Sequence, residues 1–169
     1  SDVYHWKKLK DFDVKSKDLS SLISDSIKIK NKIVLDDPKE NGKRKLLNFG
    51  HTIGHAVESF YLTHSEHSIL HGEAVAVGIV VESVLSKETG LQDESFQQII
   101  TAIKSHFSLP LLSENSFEIL TSLMKNDKKN QDGKLNFTLL KSIGEASFDN
   151  HVSEQKVLEA IQYYNIIVA

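Results

Sequence analysis

The sequence predicts a mainly α-helical bundle with one short β-hairpin near residues 134–152. Three observations carry that expectation. Apolar side chains recur at helical spacing over most of the chain, interrupted by clusters of turn-forming residues. The run from Ala74 to Val81 holds no charged residue, which suits a helix covered on every side. Only the stretch KLNFTLLKSIGEASFDNHV alternates between apolar and polar residues as strands do.

Leu19, Leu22, Ile23, Ile27, Ile33 and Val34, with the aliphatic stem of Lys30, mark the first long helix, behind Ser16 as N-cap and Asp18 in the first turn. DDPKENGK, residues 36–43, is turn chemistry and ends it. The helical pattern resumes from Arg44 to about Leu62 and again from His71 to Thr89, where Gly90 supplies a C-terminal stop. Two amphipathic segments follow, 93–106 capped by Asp93 and 116–126 with Asn115 and Glu118 spaced like a capping box. Ile143-Gly144 sits between the two alternating runs as the hairpin turn. Ser153 then precedes a last helix with Val157, Ala160, Ile161 and Tyr164 on one face.

Hydrophobic residues at 40% and charged residues at 25%, with two prolines, describe a chain that folds around a core. The 169 residues suffice for one domain. A net charge of −3, spread evenly, offers no basic face for nucleic acid or an anionic membrane. The opening SDVYHWKKLKDF lacks the apolar core of a signal peptide, and the expected location is the cytoplasm. These first residues read as the interior of a helix, so the chain is expected to be a piece of a longer protein. With no cysteine, any metal must be held by His, Asp or Glu.

The segment RKLLNFGHTIGHAVESF, residues 44–60, carries the chemistry. At ~100° per residue, Arg44, Asn48, His51 and His55 fall within an arc of roughly 60°. Leu46, Leu47, Phe49, Ile53, Val57 and Phe60 form the opposite, apolar side. Gly50 and Gly54 each weaken a helix by roughly 1 kcal/mol relative to Ala, so both point to close backbone approach. Two histidines four residues apart fit a solvated face equally well; Arg44, Asn48 and the glycines favour a site. In LHGEAVAVG, His71 stands at a helix N-terminus, which disfavours imidazolium and leaves a lone pair for a metal. A boundary histidine is the plainer reading of His71 alone. Glu58 or Glu73 could complete a zinc-type set or orient an imidazole N–H instead.

LLNFGHTIGHAVE followed by LHGEAVAVG closely resembles the paired histidine motifs of 3-dehydroquinate synthase. Lys30, Asp36 and Arg44 match that family's IK…D…G.R pattern, and MKNDKKNQDGKLNFTLLKSIGEA resembles its later DKK…G…LL..IG segment. Asp37 stands where the family usually has Glu. The resemblance implies that His51 and His71 ligate Zn²⁺ or Co²⁺. It implies that Lys30, Arg44, Asn48 and His55 meet the phosphate, carboxylate or hydroxyls of the substrate, with Lys128 and Lys129 as a later lysine pair.

By the same resemblance a glutamate ligand and an NAD-binding α/β domain precede Ser1. Residues 1–169 are then a single helical domain, the C-terminal part of a two-domain enzyme that is a homodimer when full length. The implied reaction turns 3-deoxy-arabino-heptulosonate 7-phosphate into 3-dehydroquinate and phosphate in the shikimate pathway, with NAD used and regenerated. The partners are that phosphorylated sugar acid and the chain's own N-terminal domain. The chain alone is expected to be inactive. Two rivals stay open: a related metal-dependent glycerol or alcohol dehydrogenase or other sugar-phosphate cyclase, and a helical binding module without catalysis.

Overall fold

A computed structural model describes residues 2–13, 19–125 and 135–169. Helix α1 (Val3–Lys10) starts where the Asp2 carboxylate accepts the Tyr4 and His5 amides, at 2.9 and 3.0 Å. The opening residues are therefore a capped helix start, contrary to their reading as helix interior. Ser16 and Asp18, expected to begin the next helix, lie outside the described residues. Helix α2 (Leu19–Asp36) buries only Leu22, and leaves Leu19, Ile23 and Ile27 exposed along one stripe. His5 of α1 meets Ser26 of α2 at 2.7 Å.

The expected helix from Arg44 to Leu62 is broken. Lys43–Asn48 is a 3-10 turn, and α3 (His51–His64) begins only after Gly50, whose φ of 83° lies in the left-handed region. The reason is the neighbouring helix α4 (His71–Ser86). A Cβ on Gly78 of α4 would overlap the Gly50 carbonyl, and one on Gly50 would stand 2.6 Å from Ile79 Cγ1. Gly54 faces Val75 closely too, with its Cβ position 3.0 Å from the Val75 Cα. Backbone thus lies against backbone where the two helices meet, and glycine is the residue that allows it.

The capping of α3 is unusual in its source. Gly50 has no side chain to offer, and the fully buried Glu82 of α4 supplies the acceptors instead. Its carboxyl oxygens take the Gly50 amide at 2.6 Å and the Ile53 amide at 3.2 Å. Donors that a helix start leaves without partners are thereby met across the helix pair.

Helix α4 lies at the centre, as its charge-free run requires. Ala74, Val77, Val80, Val81 and Leu85 are buried, and α4 touches α3, α5 (Asp93–His106), the strand β1 (Leu135–Ser142) and α7 (Glu154–Val168). It ends at a 3-10 turn, Lys87–Thr89, closed by Gly90 at φ 108°. The cap of α5 is Gln92, so Asp93 falls in the first turn rather than at the cap. A short 3-10 turn, Glu114–Ser116, leads into α6 (Phe117–Lys125), and Asn115 forms no capping box with Glu118. Ser153 caps α7 by accepting the Lys156 amide, and Val157, Ala160, Ile161 and Tyr164 are buried as one face.

β1 pairs antiparallel with β2 (Glu145–Val152) about a turn at Ile143-Gly144. The pairing slips between Phe137 and Leu139, where Phe148 and Asp149 bulge out and Asp149 takes φ 58°. Among the described residues, no helix is long and apolar enough to cross a membrane.

Two outcomes follow from the α3–α4 contact. Gly78→Ala must push the helices apart and is expected to cost ~3 kcal/mol, the upper end for overpacking. Gly72→Ala, in open space on the same helix, should be neutral or stabilising. Urea denaturation of both variants checks this. The second concerns pH. Burial pushes the Glu82 carboxyl from 4.5 up to about 8, against the Gly50, Ile53 and Thr52 amides, which lower it. Between those two values the folded chain keeps a proton that the unfolded chain has released, so stability falls as pH rises through the window. Melting temperatures at about pH 5 and about pH 9 should show a loss that Glu82→Gln lacks; an equal loss in both proteins would contradict it.

Candidate functional site

The α3–α4 contact brings three imidazoles together. His51 and His55 rise from the first turns of α3 and His71 from the start of α4, with ring centroids 5.4, 5.8 and 6.0 Å apart for the pairs 51–55, 51–71 and 55–71. His71 and His55 are exposed and His51 is half-buried. Two of the rings are fixed from behind. His51 Nδ1 lies 3.2 Å from the Phe49 carbonyl, and His71 Nδ1 lies 3.0 Å from Glu58 Oε2. Each partner can only accept while Glu58 is ionised, so the proton sits on Nδ1 and the lone pair on Nε2. This is the way metal-bound histidines are usually held.

Two imidazoles sharing one ion at ~2.0–2.1 Å, with a roughly tetrahedral angle, have centroids about 5–6 Å apart. All three pairs fall within that span, so the distances alone do not single out His51 and His71. The set is nevertheless partial. Among the described residues, no group of three or more His, Cys, Asp or Glu side chains is arranged to hold an ion. Glu73 accepts the Leu70 amide at 2.9 Å and so serves the start of α4, while Glu58 takes the orienting place behind His71. The residues present fit the imidazole half of a metal site.

Beside the histidines, the loop after α2 is shaped by two carboxylates that sequence reasoning gave no role. Asp37 accepts the amides of Asn41, Gly42 and Arg44 at 3.1, 2.8 and 3.1 Å. The Arg44 amide first, then those of Gly42 and Asn41, hold its carboxyl below the usual range. Glu40, at φ 57°, receives the Asn48 side-chain amide at 2.7 Å and stands 3.8 Å from Arg44 Nε. Arg44 also donates to the Pro38 carbonyl at 2.9 Å. Arg44 and Asn48 therefore neighbour each other through Glu40, not through the periodicity of one continuous α-helix. On a 3-10 turn, four residues separate side chains by about 120°.

Lys45 turns toward the hairpin. Its ammonium meets Asp149 Oδ2 at 2.7 Å and lies over the Phe148 ring, and with Asn136 it draws the Asp149 carboxyl below its usual value. A cavity of about 240 Å³ opens between this pair, Glu40, Asn48 and Thr52. Lys30 is exposed on α2 and makes no hydrogen bond or ion pair with a described residue. Lys128 and Lys129 lie outside the described residues.

Residues 1–130 match the family described as 3-dehydroquinate synthase C-terminal. The chain is 44% identical over 147 residues to the 3-dehydroquinate synthase of Parabacteroides distasonis, covering 86% of the chain and 41% of that protein. It is 37% identical over 163 residues to the 3-dehydroquinate synthase of Leptospira interrogans, covering 93% and 44%. The chain thus spans about two fifths of the length of these relatives. Among solved structures it is similar to 2-deoxy-scyllo-inosose synthase complexed with carbaglucose-6-phosphate, NAD⁺ and Co²⁺, at TM-score 0.71 and 22% identity over 87% of the chain and 41% of that protein. It is also similar to 2-epi-5-epi-valiolone synthase from Streptomyces hygroscopicus with NAD⁺ and Zn²⁺ bound, at TM-score 0.69 and 22% identity over 89% and 41%. At these identities the two structures bear on fold alone.

The histidine geometry has a direct spectroscopic consequence. His51 and His71 should both populate the Nδ1–H tautomer near neutral pH, and Glu58→Ala should release His71 from it while leaving His51 unchanged. Long-range ¹H–¹⁵N correlation spectra of the imidazoles report this. Finding Nε2–H on both rings would refute the arrangement.

Proposed function

The chain belongs to the 3-dehydroquinate synthase C-terminal family, and from that membership we propose that it is the metal- and substrate-binding part of a longer NAD-dependent enzyme. The proposed reaction converts 3-deoxy-arabino-heptulosonate 7-phosphate to 3-dehydroquinate and phosphate. The observation that carries this reading is the convergence of His51, His55 and His71, with Arg44 and Asn48 on the 3-10 turn that leads into the same helix. The names of the relatives, at 44% and 37% identity, support the substrate.

In this reading His51 and His71 hold a divalent ion, Zn²⁺ or Co²⁺, through Nε2. Such an ion supplies polarisation of a substrate hydroxyl, easing its oxidation by NAD. The chain's own residues then divide the remaining work. Lys30 and Arg44 bring positive charge to the substrate's phosphate and carboxylate, and Arg44 keeps guanidinium donors beyond those used on Pro38 and Glu40. Asn48 supplies an amide for a hydroxyl or phosphate oxygen. His55, exposed and with no orienting carboxylate among the described residues, is the group suited to carry a proton to and from substrate. Lys128 or Lys129 adds a further cation.

Two features support a second part of the enzyme outside these residues. The imidazole pair needs a further protein ligand. The exposed stripe Leu19, Ile23 and Ile27 of α2 runs on, at ~100° per residue, into the same face as Lys30. An apolar stripe leading to a substrate-binding lysine is a surface for the NAD-binding domain to cover.

The full-length enzyme tests the reading. His51→Ala should lose bound metal and phosphate release together, because one of a small set of protein ligands is gone. His55→Ala should keep its metal and lose turnover by ~10²-fold or more. Metal content by elemental analysis beside steady-state rates decides. If both variants stay loaded and active, the site is misassigned; if the wild type prefers a sugar phosphate lacking the carboxylate, the substrate is wrong.

A further inference from the structure

Glu82 has no part in the chemistry just described, yet it is a carboxyl of 0% exposure, 32 residues along the chain from the Gly50 amide to which it is bound. The bond matters because of what that amide belongs to. The Gly50 N–H and the Phe49 C=O are two ends of one planar peptide unit. The N–H end is held by Glu82 at 2.6 Å, and the C=O end accepts from His51 Nδ1 at 3.2 Å. A carboxyl on α4 and an imidazole on α3 are thus joined through a single rigid group. Glu82 also holds Ile53 at 3.2 Å, so the plane cannot swing about its own bond without breaking the start of α3.

We propose that Glu82 is a positioning residue for the metal centre, acting through the Phe49–Gly50 peptide to fix the direction and the Nδ1–H tautomer of His51. The inference rests on the reading of His51 as a ligand. Three physical points carry it. First, the left-handed backbone at Gly50 leaves the Phe49–Gly50 plane with several accessible orientations, and Glu82 selects one. Second, a hydrogen bond accepted at the N–H end polarises the peptide and strengthens the acceptor at its carbonyl end. Third, Glu82 is fully buried, so bulk water does not reach the two amides it holds. Glu58 orients His71 by direct contact, and Glu82 does the same for His51 at one peptide's remove.

The test uses the full-length enzyme freed of metal and titrated with Zn²⁺ and with Co²⁺, whose visible absorption reports ligand geometry. Glu82→Gln replaces one carboxyl oxygen, which can accept from an amide whether or not it is protonated, by an NH₂ that cannot, so one donor is left without an acceptor. It is expected to bind both ions 10–100-fold more weakly, the range found for groups that orient metal ligands, and to alter the Co²⁺ spectrum. Ile100→Val, a core change on α5 distant in sequence from both histidines, serves as a control matched for lost thermal stability, and should bind both ions like the wild type. Should Glu82→Gln not fold, Glu82→Asp keeps two acceptors one methylene short and is read in the same titration, with a loss of the same sign expected. Wild-type affinity and an unaltered Co²⁺ spectrum in the folded variant would overturn the inference alone. A wild-type enzyme that takes up neither ion would overturn the proposed function and this inference with it.

Discussion

The contact between α3 and α4 at Gly50, Gly54 and Gly78 is the constraint on which the rest depends. Bringing two helices to backbone contact shortens the distance between their N-terminal turns, and those turns carry every histidine of the cluster. It also removes the space in which a side chain on Gly50 could cap α3. The fold answers with a carboxyl from the partner helix. Glu82 thereby meets the α3 amides, and it stands where water could not reach. A buried acid left without such partners would cost several kcal/mol, so the contact and its cap are conditions for each other.

Around that pair the remaining elements act as supports. The hairpin rests on α4 and ties itself to the 3-10 turn, where Thr138 donates to the Lys45 carbonyl at 2.9 Å and Lys45 returns to Asp149. Thr52 of α3 donates to the Asn136 carbonyl at 3.3 Å. Asp37 collects three amides and so fixes the loop that presents Arg44 and Asn48. The surface ion pairs are worth little by themselves in water. The Lys45–Asp149 pair matters through geometry, because it ties the hairpin to the 3-10 turn that leads into α3.

The parts legible in the sequence were those with local causes. Ser153, the Ile143-Gly144 turn and the bounds of α5 depend on residues a few positions apart, and the structure has them where the pattern placed them. The close approach at Gly50 and Gly54 was also legible, from the glycines themselves. The break between Asn48 and His51 was not, because its cause lies at Gly78 and Glu82, about 30 residues on. Arg44 and Asn48 do neighbour each other, but through Glu40, which the helical arc could not reveal. One signal for Glu82 was available: beyond the first turn it is the one carboxyl in a helix apolar on nearly all sides, and a buried polar group must find hydrogen-bond partners. The capping box expected at Asn115 lost to a 3-10 turn bonded through Ser116 and Ser113.

In the proposed function the helix contact aims His51 and His71, and not His55, at one ion. X-ray absorption of the full-length enzyme loaded with one equivalent of zinc counts imidazole ligands directly, through the multiple scattering of their rings. The expected spectrum has two imidazoles at ~2.0–2.1 Å with oxygen donors completing the shell. A spectrum with three imidazoles, or with none, would contradict it.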